Sequence, residues 1–260
     1  MDATNMVEQN YQKIVYSRWQ GYSDDPGFKS VALRDKKLRE YITTEGVGKT
    51  ILDVGCADGA TMAPLVKDHV VYGLELADHL AQKAQEKGLQ VSVANIEEGF
   101  GFADSMFDIV VASEIIEHLA NTDFFLSECN RVLKPGGKLI LSVPVINNLF
   151  SPFILLLFDY PPTSSSRYRS PHVRDFTFST LRVALENNGF LVEKRRGLVF
   201  YVPFMHGMLG MRGWLADWLP RFADEQIVKS KKVAGAIYDE QKIVEESGPG
   251  YMLKKIFLKK

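Results

Sequence analysis

The residues of this chain best suited to chemistry lie in the segment Ile51–Gly59, Ile-Leu-Asp-Val-Gly-Cys-Ala-Asp-Gly, and at Glu75. An apolar-biased run that leads into a turn of small residues is typical of a buried strand entering a ligand site. Asp53 precedes the first glycine, so its carboxylate would repel the pyrophosphate of a dinucleotide. It would favour a ligand with an amino group and a positive charge. Glu75 follows Gly55 by 20 residues, the spacing at which an acid at a second strand's end binds ribose hydroxyls.

Composition sets broad limits on the class of protein. The 260 residues are 46% hydrophobic and 24% charged, as in globular proteins with a sizeable core. The formal net charge of -1 gives no indication of a nucleic-acid partner. Cys56 and Cys129 fall in a predicted turn and a predicted helix, so they indicate neither disulfides nor a metal site. We therefore expect an intracellular, cytoplasmic protein without a metal site. Residues 1–10 are polar and unlike a signal peptide.

Strands and helices alternate in the middle of the chain. The predicted strands are Thr50–Val54, Val70–Leu74, Gln90–Ala94, Phe107–Ala112 and Lys138–Val143, and the predicted helices are Ala60–Lys67, Asp78–Lys87 and Asp123–Leu133. Thr122 is the predicted N-cap of the last helix, and residues 134–137, Lys-Pro-Gly-Gly, are predicted to end it. This alternation predicts an α/β fold with a doubly wound, mostly parallel sheet. The carboxyl ends of its strands would bring Gly55–Gly59, Glu75, Asn95 and Ser113 into one crevice.

The alternation breaks after Pro144. A helix over Phe178–Asn188 and a strand over Phe190–Arg195 are predicted there, and the closing strand is placed at residues 251–258, with 226–229 as the alternative. Two apolar segments, Leu149–Phe158 and Phe204–Trp218, have three interpretations: a lid over an apolar pocket, a membrane-facing surface, or a helical cap with its own core. The first of them, the longest apolar run, is too short to span a bilayer.

In these residues the chain resembles the class I S-adenosylmethionine-dependent methyltransferases, especially the ubiquinone-biosynthesis-type and related small-molecule enzymes. The pieces that match, in family order over residues 48–145, are Leu52–Gly59, Gly73–Glu75, Phe107–Val110, Glu114–Leu119 and Val132–Gly137. The resemblance implies a Rossmann-like seven-stranded sheet with an antiparallel last strand and a small helical cap insertion. We expect a helical flap over residues 1–46, with Tyr11, Tyr16 and Trp19, and a cofactor-binding domain over 47–260, with specificity insertions at about 145–176 and 200–222.

The resemblance also implies S-adenosylmethionine as the cofactor. Asp53 and Gly55 would border its methionine portion, Glu75 would bind both ribose hydroxyls, and Asn95 and Ile96 would meet the edge and the face of adenine. Ser113 would lie near the methionine backbone or the reacting centre. The full expected set is Asp53, Gly55, Cys56, Ala57, Gly59, Glu75, Leu76, Asn95, Ile96 and Ser113.

Two residues depart from the family pattern. Ala57 stands where the family has its middle glycine, and the turn accommodates it if the φ angle there stays negative. Asn95 replaces the usual aspartate after the third strand, which keeps an acceptor oxygen for the adenine amine but loses the charge.

Methyl transfer from a sulfonium is a direct displacement, so the protein mainly positions the reactants. A base is needed only when the nucleophile arrives protonated. The candidate bases are His118 and His172, with Asp175 as an orienting partner, although each histidine could instead be structural. Three arginines near His172 could bind an anionic group of the acceptor or simply be solvated; they are Arg167, Arg169 and Arg174.

The sequence therefore predicts a methyltransferase that acts on a small-molecule acceptor, at oxygen rather than nitrogen or carbon. The acceptor is expected to be apolar, lipid-like or anionic, and contact with a membrane surface stays open. One alternative is an NAD(P)-dependent oxidoreductase, against which Asp53 argues. The other is a non-catalytic protein that binds S-adenosylmethionine without transferring its methyl group.

Overall fold

The computed structural model describes residues 29–146, 151–158, 172–198 and 213–236. Within these residues, strands form a seven-stranded sheet in the order β3-β2-β1-β4-β5-β7-β6. The strands are β1 Thr50–Val54, β2 Val70–Glu75, β3 Gln90–Val93, β4 Phe107–Ser113, β5 Leu133–Pro144, β6 Phe190–Gly197 and β7 Glu225–Lys232. Strands β1 to β5 pair in parallel, and β7 pairs antiparallel with both β5 and β6. The predicted α/β sheet with an antiparallel last strand is confirmed.

The α-helices of the described residues are α1 Lys29–Thr43, α2 Asp78–Glu86, α3 Thr122–Val132, α4 Ser151–Phe158, α5 Phe178–Asn187 and α6 Gly213–Trp218. Because side chains alternate along a strand, the central strand β1 contributes to apolar clusters on both faces of the sheet. Leu52 of β1 belongs to the cluster that holds Phe125 of α3 and Leu181 of α5. Its neighbour Ile51 belongs to the other cluster, which holds Leu38 of α1. No helix in the described part of the chain is long and apolar enough to cross a membrane.

The predicted helix over residues 60–67 is wrong. This segment forms turns and a single 3₁₀ turn, Ala63–Leu65. Pro64 explains the difference, because it has no N–H to donate to the carbonyl of Ala60 and its ring would clash with that carbonyl. The cofactor turn is thus followed by irregular backbone rather than by a helix N-terminus.

The boundaries around α3 also differ from the prediction. The N-cap is Asn121, whose Oδ1 accepts from the backbone N–H of Phe124 at 2.9 Å, and Thr122 is the first helical residue. Residues 134–137 lie within β5, where the pairing with β4 shifts register between Phe107 and Ile109. This irregular pairing lets the strand absorb the proline and the glycines.

The last strand of the described chain is β7, which contains the alternative segment 226–229. Both Ile227 and Val228 are fully buried because β5 and β6 flank the strand. The other candidate, 251–258, lies outside the described residues, as do Tyr11, Tyr16, Trp19, Arg167, Arg169 and residues 204–212 of the second apolar segment. The division into a flap and a domain at residue 46 stays a prediction.

Candidate cofactor site and the neighbouring histidine pair

The candidate site lies at the carboxyl ends of β1, β2 and β4, where the strand order reverses. Gly55 follows β1 with φ +73°, and a Cβ there would lie 2.3 Å from Cδ1 of Ile115. A Cβ on Gly59, with φ +74°, would lie 2.9 Å from Cα of Ala84 in α2. The backbone N–H groups of Gly55 and Cys56 donate to the carbonyl of Leu74 at 2.8 and 3.0 Å. The turn is therefore tightly held and requires glycine at both positions.

Glu75 joins this turn to the end of β2. Its Oε2 accepts from the backbone N–H of Ala57, and its Oε1 accepts from those of Leu76 and Ala77, each at 2.9 Å. Burial raises the pKa of Glu75, and the three hydrogen bonds oppose that shift. A carboxylate has about four acceptor positions, so these bonds leave capacity for a ribose hydroxyl. The structure places Glu75 as predicted, and its ribose contact stays a prediction.

Asp53 is the most strongly perturbed carboxyl group of the turn. Its side chain is buried, and burial raises its pKa to about 7, helped by the negative charges of Asp35 and Glu75. With no cation beside it, this carboxyl group is therefore partly protonated near neutral pH. A cation bound beside it would favour the ionised form.

Ala57 departs from the expected backbone. Its φ is +49°, so the condition under which the turn was expected to accommodate alanine, a negative φ, is not met. The left-handed conformation aims the N–H of Ala57 at Oε2 of Glu75. This geometry costs a residue with a Cβ about 1 kcal/mol, which the hydrogen bond to a charged acceptor offsets.

Asn95 and Ile96 follow β3 at the edge of the site. Oδ1 of Asn95 accepts from the N–H of Glu97 at 3.1 Å, and its Nδ2 donates to Glu98 at the same distance. Asn95 thereby caps the short 3₁₀ helix Ile96–Glu98, and a second acceptor position on Oδ1 remains for adenine. Ile96 is half-buried and packs against the core. Their adenine contacts stay predictions.

The end of β4 carries a chain of polar contacts. Ser113 Oγ lies 3.0 Å from Ser142 Oγ on β5, which lies 2.9 Å from Oε1 of Glu114. Glu114 has φ +55°, an unusual conformation for a residue with a Cβ. Glu114 is not among the predicted site residues, although it directly follows a strand that ends at the site.

Three glutamates and one arginine meet beside Ser113. Nη1 of Arg34 lies 4.0 Å from Glu114 and 3.8 Å from Glu225. Glu117 and Glu225 are buried more deeply, and burial together with the Glu114 charge raises the pKa of both. No sequence signal joins these residues, because Arg34 belongs to α1 and Glu225 to β7.

The two predicted histidines lie together although 54 positions separate them in the sequence. The ring centroids of His118 and His172 are 4.9 Å apart, and the rings are inclined at 65°. The carbonyl of Glu117 accepts from the N–H groups of Val173 and Arg174 at 3.0 and 3.1 Å, which docks the His172 segment on the 3₁₀ helix Ile116–His118. Nδ1 of His172 is buried without a hydrogen-bond partner among the described residues. Asp175 lines a neighbouring cavity with Thr122, and its orienting role stays a prediction.

The histidine pair also forms a candidate metal site. Glu117, His118 and His172 each offer one ligand atom, and these atoms all lie within 4.8 Å of one another. One carboxylate and two imidazoles form a donor set that binds zinc and other divalent transition metals. The prediction of no metal site rested on cysteines and sequence spacing, neither of which could reveal this group.

Comparison with known proteins finds a matching domain family. Residues 52–141, which contain the turn, Glu75 and the histidine of the 3₁₀ helix, match a methyltransferase domain family. This match agrees with the predicted resemblance to the S-adenosylmethionine-dependent methyltransferases. The cofactor of this family is S-adenosylmethionine, as predicted, and the oxidoreductase alternative is set aside.

Curated proteins similar to this chain include enzymes of ubiquinone biosynthesis. The chain is 28% identical over 218 residues to the mitochondrial ubiquinone biosynthesis O-methyltransferase of Mus musculus, covering 75% of this chain and 58% of the mouse protein. It is 29% identical over 195 residues to the ubiquinone biosynthesis O-methyltransferase of Xanthomonas euvesicatoria pv. vesicatoria, covering 71% of this chain and 80% of that protein. The chain spans 45% to 58% of the mouse, rat and human relatives.

Solved structures support the fold. A methyltransferase of Thermotoga maritima, described as a possible histamine N-methyltransferase, superposes with a TM-score of 0.56 at 17% identity. The match covers 88% of this chain and 99% of that protein. At this identity the similarity shows the shared architecture and carries no information on the acceptor.

Affinity of this site for S-adenosylmethionine is expected to depend on pH through Asp53. The ionised carboxylate attracts the cationic cofactor, and burial raises the pKa of Asp53 to about 7. Protonation must therefore compete with binding, and affinity should fall about tenfold per pH unit as the pH drops below about 7. Calorimetric titration with S-adenosylmethionine from about pH 8 to about pH 5 would measure this slope. The Asp53→Asn variant is the control, since it should bind weakly with a flatter profile. A wild-type affinity that does not change with pH would contradict the assignment.

Proposed function

We propose that this methyltransferase transfers the methyl group of S-adenosylmethionine to a hydroxyl oxygen of a small acceptor with an apolar, lipid-like part. The observation that carries the proposal is the pairing of His118 with His172, 4.9 Å apart, next to the strand end that bears Ser113. Hydroxyl acceptors carry a proton that must leave, and a histidine titrates near neutral pH, so it can take that proton. The names of the mouse and Xanthomonas relatives, both O-methyltransferases, support oxygen as the acceptor atom.

The reaction is an in-line displacement. The acceptor oxygen attacks the methyl carbon from the side opposite sulfur, the new O–C bond forms, and the C–S bond breaks with its electron pair going to sulfur. The sulfonium becomes the neutral thioether of S-adenosylhomocysteine, and the hydroxyl proton passes to an imidazole of the pair and then to water. Positioning of the reactants supplies most of the acceleration, and a well-placed base adds about 10²- to 10⁴-fold.

A divalent cation at Glu117, His118 and His172 would serve the same step differently. It would bind the acceptor oxygen and lower the pKa of the hydroxyl, so the oxygen would reach the methyl group as an anion. Both arrangements use the same side chains and lead to the same product. A chelator distinguishes the two arrangements. Removal of divalent metals should abolish turnover if a bound cation activates the hydroxyl, and should leave turnover unchanged if an imidazole does.

Exposed apolar side chains on α4 support a lipid-like acceptor. This helix is the next element of the chain after β5, whose carboxyl end lies at the edge of the sheet that carries the cofactor site. Phe153, Leu156 and Leu157 are 62%, 82% and 72% exposed. A concentration of exposed apolar side chains on one helix marks a binding groove or a membrane-facing surface. We infer that α4 contacts the apolar part of the acceptor, either free or at a membrane surface.

The test is an acceptor assay with matched compounds. The purified chain is incubated with S-adenosylmethionine and phenols that differ only in the length of an isoprenoid tail, alongside the corresponding anilines. Formation of S-adenosylhomocysteine and of the methyl ether is followed. We expect turnover of the phenols, a lower KM with a longer tail, and little turnover of the anilines. Cofactor binding without turnover of any acceptor would support the non-catalytic alternative.

The contribution of α4 can be measured separately. Replacing Leu156 and Leu157 together with serine should raise the KM for the tailed phenol by about tenfold, because about 1.4 kcal/mol of apolar contact is lost. The KM for the tailless phenol should not change. Val47→Ser is the matched control, since Val47 is 75% exposed but precedes the amino end of β1, on the opposite side of the sheet. Equal changes in the KM for both phenols would contradict a contact between α4 and the tail of the acceptor.

A further inference from the structure

Helix α1 lies across the cofactor site. At one end of the contact, Nη1 of Arg39 donates to the carbonyl of Thr61, in the loop that follows Gly59, at 3.0 Å. At the other end, Arg34 approaches Glu114 and Glu225 at the ends of the central strands. Asp35 lies between these two arginines in the sequence, and its carboxylate accepts from the Thr61 hydroxyl. The helix therefore directs Asp35 toward the glycine-rich turn.

Asp35 is buried with an unused acceptor. Only 9% of the residue is exposed, and its Oδ1 has no hydrogen-bond partner within the described residues. Burying a polar atom without a partner is costly, and burying a carboxylate is more so. Burial, helped by the charge of Asp58, raises the pKa of Asp35, and the charges of Arg34 and Arg39 oppose that shift. Such an atom is available to accept from a donor on a bound ligand.

The surroundings of Asp35 are suited to a cation. Asp53, 4% exposed, is close enough for its pKa to respond to the Asp35 charge. Asp58 is already neutralised by Lys87, whose Nζ donates to its Oδ2 at 2.8 Å and to its carbonyl at 2.7 Å. Asp35 and Asp53 are thus left as two buried carboxylates whose repulsion a bound cation would relieve.

We propose that Asp35, unassigned by the sequence motif, binds the α-ammonium group of S-adenosylmethionine together with Asp53. The inference rests on the family's cofactor and adds α1 to the binding site. An ammonium group has three N–H donors in a compact charge, which two carboxylates and one further acceptor satisfy. S-adenosylhomocysteine keeps the same ammonium group, so Asp35 holds the cofactor before and after transfer.

The test is calorimetric titration of wild type and Asp35→Asn with three ligands. S-adenosylmethionine and S-adenosylhomocysteine both carry the ammonium group, whereas methylthioadenosine has the same nucleoside and lacks the amino-acid part. We expect the substitution to weaken binding of the first two by about 10- to 150-fold, the effect of losing a hydrogen bond to a charged group. Binding of methylthioadenosine should change less than about twofold. Glu40→Gln, which removes an exposed carboxylate from the same helix, is the matched control.

The pattern over the three ligands decides the assignment. Equal loss for all three would mean that Asp35 acts through the fold of the turn, and no loss for any would leave it outside the site. Weaker binding of S-adenosylmethionine alone would mean that Asp35 contacts the sulfonium rather than the ammonium group. Each of these results overturns the proposal. If Asp35→Asn does not fold, Asp35→Glu, which keeps the charge, should bind the two amino-acid ligands more tightly than Asp35→Ala. Because no acceptor is used, failure of the proposed O-methylation leaves this test unaffected.

Discussion

Replacing Glu75 with glutamine is expected to weaken S-adenosylmethionine binding by about 10- to 150-fold, through loss of charge-assisted hydrogen bonds to the ribose. The loss has two sources. A glutamine has one acceptor oxygen instead of two, while Ala57, Leu76 and Ala77 already donate three N–H groups to the native carboxylate. Its NH₂ group would face at least one of these donors, so the turn itself should loosen.

The two sources can be separated by measuring stability and affinity together. Chemical unfolding of Glu75→Gln should show a free energy of unfolding lower by about 1–3 kcal/mol, the cost of leaving buried donors unsatisfied. Calorimetry with S-adenosylhomocysteine and with adenine then compares ligands with and without ribose. Adenine binding should be weakened much less. The matched control is Glu86→Gln, an exposed carboxylate in α2. Unchanged affinity for S-adenosylhomocysteine would contradict a ribose-binding role for Glu75.

The parts of the fold that could be predicted from the sequence are those with a local signal. Apolar strands separated by turn residues predict β1, β2 and β4 within a residue of their observed ends, because burial on both faces leaves little alternative. Asp53 and Glu75 could be placed because each follows from its strand. The irregular backbone after the turn was not predicted, because the apolar pattern of residues 60–67 favoured a helix and the effect of Pro64 was given too little weight.

The parts that escaped prediction depend on contacts between distant segments. The positive φ of Ala57 follows from its hydrogen bond to Glu75, 18 positions later. Glu114 and Glu225 meet because β7 inserts between β5 and β6, a pairing that no local pattern specifies. Asp35 belongs to a helix predicted only as part of a flap, and its burial becomes visible once α1 packs over the turn.

Removing the imidazole of His172 is expected to lower kcat by about 10²- to 10⁴-fold and to leave S-adenosylmethionine affinity unchanged. The side chain lies beside His118, in the segment whose N–H groups donate to the carbonyl of Glu117, so we expect it to affect the acceptor rather than the cofactor. Single-turnover assays of His172→Ala with the tailed phenol measure the first quantity, and calorimetry measures the second. Val173→Ala is the matched control, because it truncates an exposed side chain in the same segment without removing a titratable group. Equal loss of cofactor affinity would contradict the acceptor-side role.

A double variant with His118 tests the same role of His172 more strictly. If the two imidazoles act as one unit, the double variant His118→Ala/His172→Ala should be no slower than the slower single variant, since either loss already removes the function. If an imidazole acts as the base, kcat of the wild type should rise with pH as that base loses its proton. This rise should be absent in the variants. With a bound cation, turnover would instead be lost with a chelator in wild type, and the variants would require higher metal concentrations. Multiplicative losses without either signature would mean that the pair only docks the His172 segment on the carbonyl of Glu117.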